Sequence, residues 1–67
     1  MHVARRLREA RAGLGLNQAD LAARLGFTQA AISLWEGEHR RPGIVELDEL
    51  ASALEKPLAY FLDWDAG

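Results

Sequence analysis

At 67 residues, with no cysteine and a formal net charge of −2, the chain can build only one small core and has no disulfide or thiolate metal site to reinforce it. His2 and His39 lie far apart with no cysteine to complete a zinc set, so neither a metal nor another cofactor is expected. No apolar run approaches the roughly 20 residues that span a bilayer, and the N-terminus lacks the apolar core of a secretory signal; a cytoplasmic protein is expected.

Helix formers dominate and no segment alternates β-branched residues, so the fold class expected is all-α. The first helix runs from Val3 to about Ala12. Val3, Leu7, Ala10 and Leu14 trace its buried stripe, and Gly13 and Gly15 end it. Asn17 caps the second helix, and Asp20 three residues later completes a capping box with Asn and Asp in place of Ser and Glu. Leu21, Ala22 and Leu25 share one face of that helix, and Gly26 stands where a left-handed residue closes it.

Thr28 can cap the third helix, about Gln29 to Glu36, with Phe27 before the cap placed to pack on Ile32 as a hydrophobic staple. Ile32 and Trp35 continue the buried face, which turns Gln29, Ala30, Ser33 and Leu34 outward. Two short helices over residues 18–37, a glycine turn, a small Ala22 at their crossing and an uncharged outer face describe a helix-turn-helix. That motif places its second helix in the DNA major groove. A polar, basic loop follows and turns at Pro42-Gly43. The fourth helix covers about Ile44 to Glu55, with Leu47, Leu50, Ala51 and Leu54 inward. Pro57 fits the first position of a fifth helix whose inner face is Leu58, Phe61 and Leu62. No linker or repeat divides the chain, so residues 1–67 are read as one domain.

The net charge of −2 hides an asymmetry. Residues 1–41 hold seven arginines against four acids, a net of +3, whereas residues 42–67 hold Lys56 against six acids, a net of −5. Local potential rather than total charge attracts phosphate, and the helix-turn-helix sits in the positive part.

The segment from Leu14 to Leu54, with its LGLNQADLAARLGFTQ opening and its later ELASAL, resembles the Cro and phage-repressor type of helix-turn-helix regulator, the xenobiotic-response-element family. Asn17-Gln18 and Gly26 through Gln29 are its most specific matches. Arg5 to Leu14 and Leu58 to Trp64 match the family's first and fifth helices, so the resemblance covers nearly the whole chain. It implies a compact five-helix, lambda-repressor-like domain that binds a near-palindromic operator in double-stranded DNA as a homodimer, usually as a repressor, joining the nucleoid when bound.

Carried over position by position, the resemblance makes Gln29 a reader of adenine, and Ser33 a less selective hydrogen-bonding partner of bases or phosphate. Ala30 and Leu34 suit thymine methyl groups. Asn17, Gln18 and Thr28 at the helix starts, with Arg40 and Arg41 in the loop, face DNA phosphates, and Gln18 also braces the recognition helix. Arg11 and Glu36 match a buried ion pair that ties two helices together. Ile44, Leu58, Tyr60 and Trp64 match the dimer contact. The chain departs from the best-known phage repressors in offering only Gln29 as a long polar reader. Its loop after the third helix is also about one residue shorter and carries Glu38 where a positive residue is common. Part of the discrimination therefore falls to methyl contacts and DNA deformability.

A protein-binding module, such as an antitoxin that uses the acidic C-terminal half, is the second reading and is compatible with DNA binding. An enzyme is not expected. The chain has no nucleophile–base–orienter set and no metal spacing, Gly13-Leu14-Gly15 reads as a helix stop rather than a phosphate loop, and no small-molecule substrate is implied.

Overall fold

The computed structural model describes residues 2–62. Among these it forms five helices and no strand: α1 Val3–Gly13, α2 Gln18–Leu25, α3 Gln29–Glu36, α4 Ile44–Ala53 and α5 Leu58–Phe61. α2 packs against α3 and α4, α1 against α3 and α5, and α4 against α5. α1 to α4 each contribute two or three residues to one buried cluster and α5 contributes Phe61; its most enclosed large members are Leu7, Leu21, Ile32, Leu50, Leu54 and Phe61. Helices this short are marginal in water by themselves, so burial of these faces holds them.

Local hydrogen bonds set where helices begin. Asn17 Oδ1 accepts from the Asp20 N–H at 2.7 Å, and Asp20 Oδ2 accepts from the Asn17 N–H at 3.0 Å, the reciprocal capping box. Thr28 Oγ1 accepts from the Ala31 N–H at 3.1 Å and starts α3. Gly26, at φ 72°, provides the left-handed residue that lets α2 turn into α3. Phe27 packs against the common core, and its ring meets Trp35 edge to face at 5.4 Å.

Helix ends differ more from expectation. α1 includes Gly13, and Leu14 leaves the buried stripe with 39% of its surface exposed. The reason is that the chain has already turned: Leu16 N–H bonds the Arg11 carbonyl and Gly15 N–H that of Ala12. α4 stops at Ala53, two residues before the expected Glu55. There, Lys56 N–H bonds the Ala51 carbonyl and Glu55 N–H the Ser52 carbonyl, a Schellman closure with Glu55 in the left-handed region at φ 60°. α3 closes in the same way with Glu38 at φ 64°. Pro57 has an extended ψ of 150° and so precedes α5 as its cap instead of occupying its first helical position.

A glutamate at such a site carries a Cβ strain that glycine does not. Glu55→Gly should therefore raise stability by about 1 kcal/mol, seen as a higher urea midpoint at unchanged slope. A lowered midpoint would show that the Glu55 side chain contributes more than its backbone costs.

α5 has a single turn and is held from outside. Arg6 Nη1 donates to the Tyr60 carbonyl at 2.9 Å, and the Arg6 guanidinium lies 4.9 Å from the Tyr60 ring centroid. The Lys56 ammonium lies 5.0 Å from the same ring.

Candidate nucleic-acid interface

α3 divides sharply. Ile32, Trp35 and Glu36 are buried, while Gln29, Ala30, Ser33 and Leu34 are exposed together along the opposite side. Leu34 is 39% exposed, a large apolar residue on a solvent face that it shares with Gln29, Ala30 and Ser33. The helix period explains the arrangement, because the inward Ile32 and Trp35 are three residues apart.

Glu36 is a buried carboxylate, 4% exposed, and it needs partners to be tolerated there. Arg11 supplies two, with Nε on Oε2 and Nη2 on Oε1, each at 2.8 Å. Gln18 Nε2 adds a third donor to Oε1 at 3.2 Å. Arg11 Nη1 also donates to the Leu16 carbonyl at 2.9 Å, which ties in the loop before α2. The hydrogen bonds to Glu36 hold the Arg11 guanidinium charged, raising its pKa against the opposing effect of desolvation, and Coulomb attraction to Glu36 acts the same way. One carboxylate therefore fixes α1, the start of α2 and the end of α3 to one another. Gln18 Nε2 keeps a second hydrogen for another acceptor.

The other residues singled out in the sequence are distributed around this hub. Asn17 and Thr28 are exposed at the starts of α2 and α3, with their side-chain oxygens engaged as caps. Arg40 and Arg41 are exposed in the loop after α3, whose backbone folds back so that His39 and Arg40 N–H groups both bond the Leu34 carbonyl. Ile44 is 60% exposed at the start of α4. Leu58 and Tyr60 are only half-buried, Tyr60 beneath the Arg6 and Lys56 cations. Trp64 lies outside the described residues.

Sequence reasoning overlooked Val45, 65% exposed beside Ile44. The period of α4 carried the signal, since Val45 stands opposite the Leu47, Leu50 and Leu54 stripe. It also overlooked Arg6, whose role depends on α5 being brought to α1 by the fold. Among the described residues no cluster of His, Cys, Asp and Glu could hold a metal, and no helix is long and apolar enough to cross a membrane.

No solved structure gives a significant match to the chain. A family model described as helix-turn-helix matches residues 7–61, from the middle of α1 to the last residue of α5, and so includes the hub, the α2–turn–α3 unit and the basic loop. The chain belongs to the Cro/C1-type helix-turn-helix family, the xenobiotic-response-element family of DNA-binding transcriptional regulators.

Proposed function

We propose that this regulator binds a near-palindromic operator as a homodimer, with α3 in the major groove, and acts as a repressor. The observation that carries this reading is the continuous exposed face of Gln29, Ala30, Ser33 and Leu34 on a helix seated by the Arg11–Glu36–Gln18 hub. A helix tied to both α1 and the start of α2 presents its outer side chains in a fixed geometry, which base readout requires.

Gln29 reads adenine through its amide, while Ala30 and Leu34 cover thymine methyl groups. Ser33 hydrogen-bonds a base or phosphate. Backbone N–H groups at the starts of α2 and α3, together with Asn17, Gln18 and Thr28, meet phosphates on either side of the groove. Arg40 and Arg41 clamp the backbone. The dimer forms through Ile44, Leu58 and Tyr60, with exposed Val45 extending the apolar patch. Operator occupancy by the dimer excludes other proteins from the same DNA, and the protein works in the cytoplasm on the nucleoid.

Selection of DNA fragments by the purified chain, followed by fluorescence anisotropy on the recovered sequence, tests the reading; selection that recovers no common sequence defeats it. Arg41→Ala should weaken binding about equally on all sequences. It should also reduce the slope of log K against log salt by about one unit, as loss of one phosphate contact requires. An unchanged slope would remove Arg41 from the clamp.

A further inference from the structure

Within α5 only Phe61 is fully enclosed by the core; Leu58 and Tyr60 are half-buried and Ala59 is exposed. A turn of four residues has too few hydrogen bonds to keep its own shape in water, so a second contact must set how it faces outward. The ends of α5 do not supply that contact. No side chain caps its start, its first turn holds no acid and its last turn no base.

Arg6, on α1, reaches one residue of α5 in two ways. Its Nη1 donates to the Tyr60 carbonyl at 2.9 Å, and its guanidinium carbon lies 4.9 Å from the centroid of the Tyr60 ring. A carbonyl at a helix end has no donor within the helix, and a charged N–H is among the strongest partners it can take. The group that holds the backbone also attracts the ring, so position and side-chain direction are set together. Phe61 meets the same ring edge to face at 4.9 Å, which joins the contact to the buried anchor. Lys56 differs. It is exposed, lies 5.0 Å from the ring centroid and stands on the turn into α5, so it does not tie α5 to another helix.

We propose that Arg6 is a positioning residue for dimerisation: by holding the carbonyl and the ring of Tyr60 at once, it orients α5 and with it the contact through Leu58 and Tyr60. The role in dimerisation rests on the homodimer reading above; the hold on α5 does not.

The test compares the full chain with Arg6→Met, Arg6→Lys and Lys56→Met by sedimentation equilibrium. Arg6→Met keeps an unbranched side chain but removes the donor and the charge, and should raise the dimer dissociation constant about tenfold or more. Arg6→Lys, which keeps a cation able to donate, should recover part of that loss, and Lys56→Met should change the constant less than Arg6→Met does. A duplex carrying one half-site of the sequence recovered by selection needs only one subunit, and Arg6→Met should bind it as the parent does. A general folding defect would weaken that binding. Hydrogen exchange should quicken about tenfold or more at the Tyr60 and Leu62 amides, which bond within the α5 turn, and stay unchanged at the Ile32 amide in the core.

An Arg6→Met variant with the parent's dissociation constant would overturn the proposal. So would one that loses half-site binding or fails to fold, since Arg6 would then hold the core rather than α5. A parent that stays monomeric in solution and on the full selected duplex defeats the homodimer reading and the dimer role with it. Exchange at Tyr60 and Leu62 then decides by itself whether Arg6 holds α5.

Discussion

Arg11→Ala is expected to remove about 3–5 kcal/mol of stability, the cost of leaving a buried charge without its partner. Glu36 would keep only the Gln18 amide among its three donors, and the Leu16 carbonyl would lose its guanidinium contact. A chain of 67 residues has a total stability of about 3–10 kcal/mol, so much of the population should unfold near room temperature. The double change Arg11→Met with Glu36→Leu should cost far less, because both desolvated charges disappear and apolar volume replaces them. Urea unfolding of the parent, both single variants and the double variant closes the cycle. Small and equal losses in all three would show that the hub holds nothing together. If the hub seats α3, the folded fraction of Arg11→Ala should also bind operator less tightly than the double variant, whose helix contact is repaired by packing.

The readable parts of this fold are those decided within a few residues. Asn17, Asp20 and Thr28 act on backbone groups three positions away, so their caps follow from spacing. The division of α3 into buried and exposed sides follows from its period, so the four residues of its outer face are legible in the sequence. Helix ends were harder. Gly26 announces its left-handed turn by its identity, whereas Glu38 and Glu55 adopt the same conformation without the residue type that signals it. Leu14 fits the periodicity of α1 but lies past the point where the helix ends, so periodicity extended the core by one residue too many. The surroundings of Tyr60 depend on Arg6, 54 residues away, and on Lys56 across the turn into α5. No local pattern contains that.

Inserting about five base pairs between operator half-sites should abolish high-affinity binding, the largest effect expected on the DNA side. α3 has only 8 residues, two turns, and reads about four base pairs, too few to define a site in a genome. Two copies related by a two-fold axis supply the rest, and their recognition helices fit inverted half-sites about 34 Å apart, one turn of B-DNA. Half a turn more puts the second half-site on the opposite face, where the second subunit cannot reach it while the dimer is intact. The second binding event then loses its intramolecular advantage, a factor of roughly 10²–10⁴. Ten inserted base pairs should restore part of the affinity, since the faces realign. Within each half-site, Gln29→Ala should cost about 1–3 kcal/mol at a single adenine-containing base pair and leave non-specific binding almost unchanged. The two experiments separate the two halves of the proposal. Indifference to a five-base-pair insertion removes the dimer and leaves a monomeric reader. A Gln29→Ala variant with the parent's preference at every position removes α3 as the reader, whatever the spacing shows.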